Sequence, residues 1–363
     1  MTHDRDDMLT LYGVPGVGAI MYMRLMERFK AASAVFDAAD NDLMQVPGMR
    51  PSVVAALREF DRDAFLADQH KRMESCDASY IIAGDDDYPS LLSEHRTRPP
   101  FLFVRGDRRA LSAKSIAIVG TRRASGYGIG MTRELVAGAV AAGYCIVSGM
   151  AAGIDSVAHT AALEHGGMTV AVFGCGVDVI FPAQNRGLAR KITGSGCLVS
   201  QFPMGMEPLR GHFPARNDVV VGLSAAAVVV EAGTKSGALI TADLAIRAGR
   251  PLFAVPGDAR SDKSRGANAL FAKGALPATD AASIITHLGG KASAAHTAAR
   301  PSLPLPEGLQ GEIVRTLVDG PRHIEEIAAQ LESPVHILLN ELTILELSGH
   351  VRERPGKMFE RIC

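Results

Sequence analysis

Eight short runs between Ser79 and Gly257 constrain this chain most: SYIIAG, FLFVRG, SIAIVG, YCIVSG, MTVAVFG, GCLVSQF, AAVVVEA and PLFAVPG. Each is apolar without alternation and rich in β-branched residues. Helical stretches such as YGIGMTRELVAGAVAAG and SGALITADLAIRAG lie between several of them. A strand that is apolar on both faces must be covered on both faces, so this pattern predicts a mostly parallel sheet between helical layers. The fold class that follows is α/β: an extended Rossmann-like, doubly wound domain spanning 80–289. Glycine or small polar residues end most of the runs: Gly120, Ser148–Gly149, Gly174–Gly176, Glu231 and Pro256–Gly257. In open sheets of this kind ligands bind beyond those ends.

The flanks read differently. Residues 1–79 are helical, with two Val-Pro-Gly turns, GVPGVGAIMY and QVPGMRPSVV. Such turns resemble helix-hairpin-helix or SAM-like modules, which grip a DNA backbone through glycine amides or serve only as a structural helix pair. The acidic balance of this segment, 9 Lys/Arg against 13 Asp/Glu over residues 1–80, favours the structural role. Residues 290–306 are rich in Ala, Ser and Pro and read as a linker. Residues 307–363 predict three helices and a hairpin, resembling a winged helix. Its recognition-helix candidate, SPVHILLNELTILELSG, contains no Lys or Arg. A helix that reads DNA carries basic or amide side chains there, so this segment is expected to bind protein or to self-associate. Only Arg352, Arg354 and Lys357 in the wing offer phosphate contacts.

Net charge over the whole chain is -1 and excludes nothing. Its distribution is informative, because residues 81–300 hold 23 Lys/Arg against 16 Asp/Glu and the C-terminal block is acidic again. A polyanion is therefore expected at the middle domain. Five scattered cysteines without a CxxC pair read as reduced core thiols and argue against zinc. No apolar run reaches the roughly 18 residues of a membrane helix. The N-terminal MTHDRDDMLT has no apolar signal core. A cytoplasmic protein without membrane contact is expected.

The stretch VGTRRASGYG is neither GxGxxG nor GxxxxGK[ST]. It nevertheless joins a strand, a glycine turn at Gly120, Arg122, and a helix opening at Ser125–Gly128. Helix-start amides and an always-charged guanidinium suit a phosphate. Arg123 is its ambiguous neighbour. SGMAAGIDSVAH allows close backbone approach at Gly149 and Gly153. It offers Asp155 as a helix-start cap or, four residues from His159, as half of an acid/base pair. In GCGVDVIFPAQN, Asp178 and Asn185 read as turn formers. The segment around HFPARN brings Arg210, Phe213, Arg216 and Asn217 together, which suits clamping a phosphate and stacking a base. VVVEAGTKSG sets Lys235 and Ser236 at another helix start, with Glu231 a candidate ion partner of Arg216.

Taken in order, VGTRRASGYG, SGMAAGID, GCGVDVIFPAQN, FPARN, VVEAGTKSGALIT and GRPLFAVPG resemble the DprA/Smf family of DNA-processing proteins over about residues 80–290. The resemblance implies a cytoplasmic single-stranded DNA-binding protein. Such a protein protects the strand, loads RecA on it during natural transformation, and dimerises through its Rossmann-like domain. It implies no enzymatic activity, no cofactor and no metal. The DNA site it implies is Gly120, Thr121, Arg122, Ser125, Gly149, Arg210, Phe213, Arg216, Asn217, Lys235 and Ser236. One departure stands out: the family reads FPxRNRxI where this chain has FPARNDVV, so Asp218 replaces an arginine and lowers the charge expected at the pocket. The competing reading is a nucleotide-processing, phosphoribohydrolase-like enzyme. That reading needs a contiguous PGGxGTxxE loop, of which only a GT and a separate PG are present.

Overall fold

The computed structural model describes residues 2–290, 306–318, 320–348 and 350–361. Residues 1–293 form one compact unit and 294–363 a second. The expected linker falls almost wholly outside the described residues, as does Cys363.

Six helices open the first unit: α1 (Thr2–Gly13), α2 (Ala19–Phe29), α3 (Ala32–Asp37), α4 (Asp40–Met44), α5 (Pro51–Glu59) and α6 (Arg62–Cys76). The two Val-Pro-Gly turns are one hairpin built twice. Val14 and Val46 N–H donate to Leu11 O and Leu43 O, and Val17 and Met49 N–H donate to Val14 O and Val46 O. Gly16 and Gly48 both take positive φ, 89° and 79°, which the tight turn requires. The helices do not keep a core to themselves. Leu9, Leu25, Leu43 and Leu57 pack in one cluster with Phe101, Phe103, Phe173 and Leu198 of the sheet. Tyr12 stacks on Phe101 at 5.2 Å and its hydroxyl donates to Gln201 O. The aromatic run of the second strand completes the core that these helices share with the sheet.

All eight apolar runs are strands: β1 (Ala78–Ile82), β2 (Phe101–Gly106), β3 (Ser115–Val119), β4 (Cys145–Ser148), β5 (Thr169–Phe173), β6 (Cys197–Ser200), β7 (Ala226–Val229) and β8 (Leu252–Ala254). A two-residue β9 (Leu276–Pro277) extends the sheet. The order is β1-β2-β6-β5-β4-β3-β7-β8-β9. From β6 to β9 every pairing is parallel, and β2 joins β6 and β1 antiparallel. Strands β3 to β8 are buried along their whole length, the reason for their unbroken apolar sequence. Around them lie α7 (Ser90–Ser93), α8 (Gly126–Ala141), α9 (Ile154–Glu164), α10 (Arg186–Ile192), α11 (His212–Gly222), α12 (Ala238–Arg247), α13 (Arg265–Ala269) and α14 (Ala281–His287).

The second unit holds α15 (Leu309–Thr316), β10 (Arg322–His323), α16 (Ile324–Gln330), α17 (Val335–Leu347), β11 (Val351–Arg354) and β12 (Met358–Arg361), with sheet order β10-β12-β11. Ile313, Ile327, Leu338, Leu342, Leu345 and Phe359 form its core. This is the predicted winged helix, with β10 added to the expected two-stranded wing. Two wing cations are already paired: Arg354 with Glu360 and Lys357 with Glu353.

Candidate nucleic-acid interface

The strand order turns at β3, which has β4 on one side and β7 on the other. The loops leaving the carboxyl ends of β3 and β7 diverge and leave a crevice. A cleft of about 790 Å³ lies there. Gly120–Arg123 form one wall, Phe213–Asn217 another, and Gly233–Ala238 with Arg265 close it. Of the residues singled out in the sequence, Gly120, Thr121, Arg122, Gly149, Phe213, Arg216, Asn217, Lys235 and Ser236 line this cleft, whereas Ser125 and Arg210 are not among its lining residues.

The loop after β3 is braced from inside. Thr121 N–H donates to Glu231 O at 2.7 Å. Ser125 N–H donates to the Glu231 carboxylate at 2.9 Å, and Ser125 Oγ accepts from Gly128 N at 3.1 Å. The negative group at the start of α8 is therefore the buried Glu231 of the chain itself, not a ligand phosphate. This corrects two readings at once, since Ser125 caps α8 and Glu231 is no ion partner of Arg216. Gly128 is required because a Cβ there would lie 2.7 Å from Glu231 Oε2. The braced loop presents Arg122 and Arg123, both exposed. Among the described residues no carboxylate makes a salt bridge with Arg122, Arg123 or Lys235.

Arg216 is different in kind. It is 6% exposed. Its Nη1 donates to Gly149 O and to Val172 O, the latter at 2.9 Å, and its Nε donates to Asn217 Oδ1 at 3.0 Å. One guanidinium thus ties α11 to the ends of β4 and β5. Gly149 lacks a side chain because the guanidinium occupies the space a Cβ would need. The neighbouring Asp155 is buried, which pushes its carboxyl above the usual range while the charge of Arg216 opposes that shift. Phe213 stands between the two cationic roles: the guanidinium carbons of Arg122 and Arg216 each lie 5.8 Å from its ring centroid.

Asp155 and His159 do not form an acid/base pair. Asp155 accepts from Ala151 N at 3.3 Å and closes the turn before α9. His159 is wholly buried with Nδ1 on Thr169 Oγ1 at 2.7 Å, and burial, with Arg216 nearby, pushes its pKa down to about 3. Asp178 and Asn185 are indeed turn anchors: the first accepts from Gly205 N, and the second donates to Met150 O and Ser156 Oγ. Asp218 points away from the cleft. It binds His95 Nε2 at 2.9 Å and accepts from Thr97 Oγ1. Burial works against its ionisation, but the hydrogen bonds from His95 and Thr97 win and hold its carboxyl below the usual range. The charge lost at this position is therefore spent on the 95–97 loop rather than on the pocket. Sequence reasoning missed Asp262 and Arg265 in the cleft lining, since they lie far along the chain and pair with each other.

The geometry can be set beside known proteins. The family model described as DNA recombination-mediator protein A matches residues 79–289, and that of the DprA winged helix domain matches 297–357. The chain belongs to the DNA recombination-mediator protein A family. Protein Smf of Synechocystis is 32% identical, with 96% of each chain covered. DNA processing protein DprA of Streptococcus pneumoniae is 36% identical over 67% of this chain and 85% of its own. The X-ray structure of the pneumococcal protein superposes with a TM-score of 0.67 at 32% identity, covering 79% of this chain and 98% of that one. DNA processing protein A of Helicobacter pylori, whose structure addresses its single-stranded DNA binding mode, matches with a TM-score of 0.52 at 30% identity over 58% and 95%. Within the family-matched span fall both cleft walls and all the free cations named above. No helix among the described residues is long and apolar enough to cross a membrane.

Proposed function

We propose that the chain binds single-stranded DNA in the switch-point cleft, protects it, and mediates loading of RecA on it for recombination during natural transformation. The observation that carries the reading is a cleft at the carboxyl ends of β3 and β7, lined by Phe213, where Arg122 and Lys235 have no carboxylate partner among the described residues. The Helicobacter relative, a single-stranded DNA binder of the same fold, supports the choice of ligand. In this reading Arg122 and Lys235 hold backbone phosphates. Gly120, Thr121, Ser125, Gly149 and Arg216 fix the walls. The strand leaves unchanged, so the protein acts as a binder without cofactor or metal, in the cytoplasm where RecA meets the strand.

A homodimer through the Rossmann-like domain belongs to the same proposal. The β9 edge ends the sheet with Leu276 37% exposed, and Ile246 of α12 is 42% exposed. Lys273 pairs with Asp243 and so draws α12 and the entry to β9 together. Exposed apolar residues beside an open strand edge suit pairing with a second copy. The winged helix adds little strand affinity in this reading, because α17 presents Val335, Ile337 and Ile344 rather than cations. The test is an anisotropy titration of Arg122→Ala with Lys235→Ala at several salt concentrations. Loss of two phosphate contacts lowers the slope of log affinity against log salt by about 1.4. A folded double variant with native affinity overturns the site. RecA-driven strand exchange on precoated single strands tests the loading step.

A further inference from the structure

The loop after β5 ends in an aromatic that neither the fold nor the phosphate cleft uses. Phe181 is 47% exposed, a high value for a phenylalanine on a well-anchored loop. The anchors are specific. Val179 N–H donates to Gly176 O at 3.0 Å, and the Asp178 carboxylate takes Gly205 N–H. On the other side of Phe181, Asn185 N–H donates to Pro182 O and its side chain to Met150 O. The ring is therefore presented, not left loose. Its neighbour is Phe213, with centroids 6.2 Å apart and planes at 49°. Phe213 is half-buried and already engaged by two guanidinium groups, whereas Phe181 offers an open ring.

We propose that Phe181 stacks a base of the bound strand, making with Phe213 an aromatic step at the rim of the cation-lined cleft. The inference rests on the single-strand reading above and names how bases, as opposed to phosphates, are held. Arg122, Phe213 and Phe181 follow one another at separations of 5.8 and 6.2 Å, about the reach of one nucleotide in an extended strand. A rigid ring loses little entropy on stacking and accepts any base. Paired bases in a duplex already stack on each other and have no free face to give, so the step favours single strands.

The test compares an oligothymidylate, an abasic strand of equal length and a duplex, each titrated at one salt concentration. Phe181→Ala weakens thymidylate binding about tenfold, within the range set by base-aromatic stacking, and leaves abasic binding unchanged. The chain has no tryptophan, so Phe181→Trp is a unique reporter. It retains affinity, and its emission is quenched at saturating thymidylate. Native thymidylate affinity in Phe181→Ala, or an unquenched Phe181→Trp at saturation, overturns the proposal. The phosphate reading fails separately: Arg122→Ala with Lys235→Ala loses both thymidylate and abasic strands if that reading holds, and keeps both if it does not.

Discussion

Arg122 and Arg216 face the same cleft, yet their removal has opposite consequences. Arg216→Ala deletes hydrogen bonds to Gly149 O and Val172 O and takes a buried positive charge from beside Asp155. A charge-assisted hydrogen bond contributes about 1.5–3 kcal/mol, and the buried carbonyls of Gly149 and Val172 each lose one. Water entering from the cleft recovers part of this, so a net loss of about 3–4 kcal/mol is expected. That is a large share of a typical stability of about 5–15 kcal/mol. It should lower the melting midpoint of the larger unit by about 5–7 °C. Arg216→Lys recovers little, because an ammonium cannot reach three acceptors with a planar fork. Arg122→Ala leaves stability within about 0.5 kcal/mol and weakens strand binding. The assay is urea unfolding of each variant beside its anisotropy titration. An unchanged urea midpoint for Arg216→Ala, together with lost DNA affinity, would refute the argument and make Arg216 a phosphate ligand.

Three further outcomes follow from the same contacts. Gly149→Ala places a methyl in the space of the Arg216 guanidinium, and its urea midpoint should fall nearly as far as that of Arg216→Ala. Asp218→Arg, which restores the family pattern, leaves strand affinity unchanged within twofold but costs about 1–3 kcal/mol by stranding the buried His95; a tighter-binding variant would place position 218 in the pocket. Because the Asp218 carboxyl is held low in the folded state, its contribution persists above the ordinary carboxylate range and is lost below it. His159, buried and neutral, titrates near 3 when folded and about 6.5 when unfolded. Its contribution is thus complete above the unfolded value and lost as pH falls towards the folded one, by up to about 1.4 kcal/mol per pH unit. His159→Leu flattens that slope between pH 6 and 4 in urea midpoints, and parallel slopes would contradict the assignment.

What one-dimensional pattern determines here is the architecture. Continuous apolar runs rich in β-branched residues predict strands covered on both faces; all eight are strands, and β3 to β8 are buried along their whole length. The concentration of positive charge in residues 81–300 is likewise legible without a fold, because a charge distribution needs only composition. The roles within the cleft were another matter. Sequence shows that Arg122, Arg216, Glu231 and Asp218 lie near glycine-rich strand ends, but not which way each side chain turns. Folding brings Glu231 under the start of α8, so an internal carboxylate satisfies amides that looked ready for a phosphate. It buries Arg216 against two carbonyls and turns Asp218 to His95. These are decisions between partners more than a hundred residues apart, such as Ser125 with Glu231 and Asp218 with His95, or on adjacent strand ends. Desolvation makes each of them compulsory, since a buried charge or amide must find its partner inside the fold. Exposed groups carry no such demand, and so the tertiary structure leaves Arg122, Lys235 and Phe181 exposed.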